Sequence, residues 1–379
     1  MPVSRSADVI VIGGGAIGLS AAWRLSSAGL TAIVVDPAPG TGASHVAAGM
    51  LAPVGEATFG ERSLLELSLA SWRLYPSFIA ELEEATAMST GYSRCGMLVV
   101  ARDSDQNAAL ERDFRFRASL GLAVQRLTSS ECRMLEPRLS PSVRGGVLVV
   151  GDAQVNPRRL SAALQRACAD RGVEIVRERG AVLVERNRVV GVRLEDQRVF
   201  ATPIVVLAAG CWSAQVEGVP REAVPPVRPV KGQILHLGGD SGSLVSRIVR
   251  VQGVYIVPRG DGRVVVGATV EERGFDTTVT AGAVYELLRD AHEVVPDIAE
   301  LQLVSVTAGL RPGTPDNAPI VGESALAGLL IATGHYRNGI LLTPITAEAI
   351  AARITLGSLP AEMQPFTPGR FARVAEVVQ

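Results

Sequence analysis

The chain has 379 residues, of which 47% are hydrophobic and 20% charged, and its formal net charge is −1. That length can bury more than one core, and the composition is that of a globular chain rather than a disordered or fibrous one. No basic tract is present to neutralise phosphates, which excludes nucleic acid and a polybasic membrane surface as partners.

The first element is the run "DVIVI" at 8–12, which reads as a buried parallel strand. "GGGAIGLSAAWRLSSAGL" follows as a glycine turn and a helix, and "TAIVVD" as a second strand ending in Asp36. This β-α-β unit has the spacing of a dinucleotide site. Gly13 permits the tight turn, Gly15 lets the backbone approach a pyrophosphate, and Gly18 lets helix and strand pack closely. The helix N-terminus offers amide hydrogens to phosphate oxygens. Asp36, 18 residues after Gly18, can accept from ribose hydroxyls; an acid there disfavours a 2′-phosphate and leaves FAD or NAD. The uncharged run 9–23 imitates a signal-peptide core. It is too short to span a bilayer and follows a single cation, Arg5, so export is not expected.

"GTGASHVAAGMLAP" at 40–53 is rich in small residues, so Ala47, Ala48, Gly49 and Met50 would let a planar ligand lie against the chain. His45 is either a ligand contact or a surface turn residue. Residues 61–88 show helical spacing interrupted by Pro76, 95–103 a strand and turn, and "NAALERDFRFRASLGL" a further helix. A helix begins near Asn156–Pro157 and a strand covers 173–176. The region 180–210 alternates strand and turn signals and ends in "VVLAAG". Its buried strand belongs with the dinucleotide unit, which makes Ala208, Ala209 and Gly210 cofactor-contact candidates.

From 233 to 270 the repeated runs "ILHLG", "RIVRV", "VYIVPR" and "RVVVGAT" indicate an antiparallel sheet outside the parallel core. "TAGAVYELLRDAHEVVP" supplies a helix, and "LQLVSVTAGLRPGTPDNAPIVG" returns the chain to the first domain. The expected fold is an α/β FAD- or NAD-binding Rossmann-like domain with a second, mixed/antiparallel-sheet α+β substrate domain. The first would take 1–88, 145–220 and 306–379; the second would take 89–144 and 221–305.

The cysteines, at 95, 132, 168 and 211, form no CxxC pair, and His45, His236, His292 and His335 offer no local metal cluster. Reduced thiols, a cytoplasmic location and no metal are expected. Neither a serine triad nor a nucleophile elbow is evident, so the chemistry would come from a cofactor. Two arginines stand out. Arg311 in "GLRPGTPD" follows an apolar strand-like run, and Arg337 lies in "GHYRNGILLTP" at 334–344, a polar loop entering an apolar helix. A guanidinium binds a carboxylate in a bidentate, directional way. Tyr255 could add an O–H donor. The helix after Gly339 could stabilise charge with its amides and dipole.

Together "VIVIGGGAIGLSAAWRL", "SHVAAGMLAP", "VVLAAG", "VYIVPR", "GLRPGTPDNAPIVG" and "GHYRNGILLTP" resemble the FAD-dependent D-amino-acid oxidase superfamily, in its glycine oxidase (thiazole-biosynthesis oxidase) branch. The resemblance implies FAD bound by Gly13, Gly14, Gly15, Ala16, Ile17 and Gly18, with Asp36 at the ribose. Ser44, His45 and Ala47–Met50 would lie along the cofactor, and Val182 would meet the adenine through its backbone. Gly334, His335, Tyr336, Arg337, Asn338, Gly339 and Ile340 would close over the flavin. Arg311 would bind the substrate carboxylate, with Tyr255 and Arg337 nearby as the other catalytic candidates.

The implied reaction oxidises glycine to an imine, which hydrolyses to glyoxylate and ammonia, with oxygen becoming hydrogen peroxide. The imine would feed thiamine thiazole synthesis by transfer to a thiazole synthase. Assembly as a homotetramer is implied by family resemblance alone. No cysteine follows Cys211, so FAD is expected to be noncovalent. The alternatives are a sarcosine oxidase or a D-amino-acid oxidase or dehydrogenase on the same scaffold, a nonenzymatic flavin-binding protein, and an NAD-dependent dehydrogenase.

Overall fold

The computed structural model describes residues 3–239 and 244–371. A six-stranded sheet runs in the order Ile320–Glu323, Leu329–Thr333, Val205–Leu207, Val9–Ile12, Ala32–Val35, Glu174–Val176. All neighbours are parallel except the first pair. Strand alternation explains why "VIVI" is apolar throughout: it is covered on both sides. Val9 and Val11 pack with Leu19, Trp23, Leu164 and Ile345 of the helices Ala16–Ser27, Pro157–Asp170 and Thr343–Thr355. Ile10 and Ile12 face the other way, onto Val182, Val192 and Phe200 of a four-stranded sheet.

The helix Arg62–Thr86 is continuous, although an interruption at Pro76 was expected. Proline there removes one backbone donor at a cost of about 3 kcal/mol. Burial of Tyr75, Phe78, Ile79 and Leu82 on one face offsets it. Tyr75 Oη and Ser71 Oγ also donate to the Ile340 and Leu341 carbonyls, at 2.7 and 2.6 Å.

An eight-stranded mixed sheet forms the second body, in the order Gln302–Gly313, Arg228–Gly238, Val264–Gly267, Val254–Pro258, Ile248–Val251, Met97–Ala101, Gly145–Val149, Gln125–Thr128. Ile248–Val251 pairs with Met97–Ala101 in parallel, and every other pairing is antiparallel. The helix Ala281–Val294 covers one face through Leu287, Ala291 and Val294. The opposite face, with Ile234, Ile248 and Val257, packs on Ala48 and Ala52. Two expected boundaries need correction. Gly145–Val149 and Gln302–Gly313 belong to this sheet, so the chain changes bodies after them rather than at 145 and 306. Their ladder partners, Met97–Ala101 and Arg228–Gly238, decide membership, whereas the apolar runs alone fit either sheet.

Candidate active site

A cavity of about 760 Å³ runs between the two bodies. One end is built on the turn between Val9–Ile12 and the first helix. Gly13 has φ +115°, and a Cβ there would collide with the Ala208 carbonyl, so only glycine allows this approach. The helix Ala16–Ser27 begins at Gly15 without a side-chain cap, although Ala16 N donates to Ser44 Oγ at 3.0 Å. Its start therefore presents amides to the cavity. Asp36 accepts from Gly14 N at 2.5 Å and Ala38 N at 2.7 Å, which fixes its carboxylate at the wall.

At the other end, Arg311 stands on the strand Gln302–Gly313, and Tyr255 on Val254–Pro258. Arg311 Nη1 donates to the carbonyls of Lys231 and Thr269, at 3.2 and 3.1 Å. The guanidinium lies across Gly232, where a Cβ would displace it. Among the described residues no carboxylate pairs with it. The Tyr255 phenol is pushed up to about 12 by desolvation, with the Arg311 charge opposing, so it remains a neutral O–H donor. Glu56 stands on the same wall within the electrostatic reach of Tyr255, held by Arg250 at 3.4 Å. Behind it Asp152 accepts from Gly55 N at 2.9 Å, and burial pushes its carboxyl up to about 7.

The loop 334–342 closes a third side. Tyr336 N donates to Pro312 O at 3.0 Å, tying the loop to the strand that carries Arg311. His335 Nε2 contacts Thr346 Oγ1 at 3.0 Å, and burial depresses the ring's pKa to about 3, so the ring is neutral. Arg337 is exposed at the rim, its guanidinium 5.6 Å from the Tyr336 ring centre.

The structure brings most of the expected residues to one cavity. Gly13, Gly15, Ala16, Ile17, Asp36, Ser44, Ala47, Ala48, Gly49, Met50, Ala208, Ala209 and Gly210 line the cavity, as do Tyr255, Arg311, His335, Tyr336, Arg337, Gly339 and Ile340. Others lie off it. Gly14 binds Asp36, and Gly18 packs beneath Gly13. His45 instead lies beside Arg158, whose Nε donates to the His45 carbonyl at 3.2 Å. Val182 N donates to Glu217 O at 2.8 Å, while its neighbours Gly180 and Ala181 reach the wall. Gly334 and Asn338 belong to the closing loop but do not line the cavity, Asn338 N donating to His335 O at 2.9 Å. The helix expected after Gly339 begins only at Thr343, so the turn at Gly339 and Ile340, not the helix end, meets the cavity. Glu56, Gly232, Ile234 and Trp212 are wall residues that the sequence reading missed.

The cradle fits FAD. A glycine turn pressed on the Ala208 carbonyl, an uncapped helix start and a fixed carboxylate suit pyrophosphate and ribose, and an apolar wall of Ala47–Met50 suits a planar ring. Among the described residues no group of acids, histidines or cysteines could hold a metal. No helix there is long and apolar enough to cross a membrane.

The family described as FAD dependent oxidoreductase (DAO) matches residues 8–353. Glycine oxidase of Geobacillus kaustophilus is 34% identical over 372 residues, covering 95% of this chain and 96% of that one. The bifunctional protein ThiO/ThiG of Synechocystis is 35% identical over 380 residues; 97% of this chain matches 55% of that protein. The crystal structure of glycine oxidase from Geobacillus kaustophilus superposes with a TM-score of 0.89 at 34% identity, over 97% of this chain and 99% of that one.

Proposed function

Because the chain belongs to the FAD dependent oxidoreductase family, we propose that it is a glycine oxidase whose imine product serves thiazole formation. One observation carries the substrate class: Arg311, without a carboxylate partner among the described residues, closes the end of the cavity opposite the dinucleotide cradle. A free guanidinium in a sheltered pocket calls for an anion, and a small carboxylate suits its planar fork.

When bound, FAD would supply a two-electron acceptor for the substrate's α-hydrogen, with oxygen as the final oxidant and hydrogen peroxide as its product. Arg311 binds the carboxylate, and Tyr255 donates its O–H to the same group. Glu56 accepts from the amine, keeping its lone pair available as the C–H bond breaks. Tyr336 and Arg337 shape the mouth, and the wall Ala47–Met50 excludes water from the reacting carbon. Glycine thus loses two electrons and two protons to become the imino acid, and water converts that to glyoxylate and ammonia. The ThiO/ThiG protein supports transfer of the imine to a thiazole synthase, since its matching half resembles this chain.

Anaerobic mixing of the holoenzyme with glycine, sarcosine and D-alanine tests the reading. Glycine should bleach the flavin absorbance, and dideuteroglycine should do so more slowly. Bleaching by sarcosine or D-alanine alone would move the assignment to those substrates, and no bleaching by any of the three would sink it.

A further inference from the structure

Lys231 is the only lysine among 37 cationic side chains; all the others are arginine. Among the described residues it is also the most deeply buried of the ion-paired cations, 1% exposed, on the strand that lies under Arg311. Its Nζ donates to Asp276 Oδ2 at 2.8 Å and stands 3.7 Å from Glu271 Oε2. Its backbone forms a two-bond bridge with Glu271, N to O at 2.9 Å and O from N at 3.0 Å. The same Lys231 carbonyl, with that of Thr269, receives the two Arg311 Nη1 hydrogen bonds.

Residues 269–276 thus cross the Arg311 platform and are fastened on both sides of it. Thr269 Oγ1 and Gln233 Nε2 donate to Glu271 Oε1, at 2.6 and 2.8 Å, and Asp276 Oδ1 accepts from Thr278 N at 2.9 Å. Farther along, Phe275 rests against Trp212, their ring centres 6.1 Å apart, and Trp212 is a wall residue of the cavity. A compact ammonium with rotatable donors can serve two carboxylates in an enclosed space, whereas a planar guanidinium needs a wider, flatter one. Removing a buried cation also leaves its acids uncompensated, which loosens whatever they fasten.

We propose that Lys231 is a positioning residue for substrate-carboxylate binding: by tying Glu271 and Asp276 to its own strand, it fixes the two carbonyls that aim Arg311 into the cavity. This rests on the reading of Arg311 as the carboxylate anchor. It assigns a role in substrate affinity to a segment, 271–276, that lines none of the cavity itself.

The experiment uses flavin-loaded protein and acetate, a carboxylate with no amine to oxidise, titrated while the visible flavin spectrum is followed. Lys231→Met and Lys231→Arg remove the fit directly. Asp276→Ala removes one partner of Lys231 at a position that is itself 43% exposed, and so tests the same tie without cutting the core. Asp276→Ala and either folded Lys231 variant should weaken acetate by about fivefold or more, while the flavin stays bound. Arg311→Met should abolish acetate binding. As the lone lysine, Lys231 also reports on its own enclosure: trinitrobenzenesulfonate should modify it slowly in the parent, faster in Asp276→Ala, and more slowly again when acetate is added to the parent. If Asp276→Ala keeps acetate affinity within about fivefold of the parent, Lys231 has no positioning role and the reading of Arg311 still stands. If acetate fails to bind the parent, both fall.

Discussion

Arg311 could be singled out in the sequence because a charged residue directly after an apolar strand-like run needs a reason to be there, and the structure supplies one in a guanidinium on the cavity wall. Arg311→Ala should leave a folded, yellow protein with glycine kcat/KM lowered by the equivalent of about 2–5 kcal/mol; steady-state kinetics on the purified variant would check this. Glu56 was not legible in the same way. It sits in a loop, and its place on the wall is set by Asp152 and Arg250, about 100 and 200 residues away in the chain. His45 shows the complementary failure, since Ser44 and His45 share one turn and only Ser44 faces the cavity. Asp152 yields a further expectation. With a folded pKa of about 7 against an ordinary 3.8, the native state binds a proton that the unfolded chain releases between those values. Stability from this group is therefore present at low pH and is lost as pH rises from about 4 to about 7, by up to about 1.4 kcal/mol per unit. Asp152→Asn should flatten that part of the stability profile in urea titrations at several pH values; an unchanged slope would show that the carboxyl is ionised throughout.

Among elements, the β-α-β unit was readable because its turn, helix start and strand-end acid must keep fixed spacing to hold a dinucleotide. Sheet membership was not, because Gly145–Val149 and Gln302–Gly313 carry apolar patterns that would suit either sheet, and only long-range pairing assigns them. The helix Arg62–Thr86 connects packing to the site. Its Tyr75 and Ser71 hold the Ile340 and Leu341 carbonyls, at the base of the loop that closes the cavity. Tyr75→Phe keeps the ring packing against Phe78 and leaves the Ile340 carbonyl with only the longer bond from Thr343 N, at 3.3 Å. It should lower stability by about 0.5–1.5 kcal/mol. It should also speed flavin loss on dilution, because the loop loses one of its two ties to the helix. Calorimetry and flavin fluorescence read the two effects separately, and a loss of stability without faster release would confine Tyr75 to the core.

At the scale of the whole molecule, the cavity draws on both bodies: the parallel sheet supplies the dinucleotide cradle and the mixed sheet supplies Arg311 and Tyr255. No cysteine lies on its wall among the described residues. Cys132, Cys168 and Cys211 are buried, and burial pushes their thiols up to about 11, 12 and 12, which leaves little thiolate to attack a flavin ring. FAD should therefore be held without a covalent bond, and acid should free it. His335 gives the acid a point of action. Its ring stays neutral in the fold, with a pKa of about 3 against an ordinary 6.5, so its contribution is intact above about 6.5. It is lost as pH falls toward 3, because only the unfolded or opened chain takes up the proton. Since His335 lies in the closing loop and contacts Thr346 at the start of the following helix, its protonation should open the cavity as well as unfold the chain. Acid precipitation should leave a colourless pellet and a yellow supernatant, and in a gentler titration His335→Gln should move flavin release to lower pH. Flavin retained in the washed, denatured pellet would overturn the noncovalent assignment. Release at the same pH in His335→Gln and parent would show that acid enters through another part of the structure.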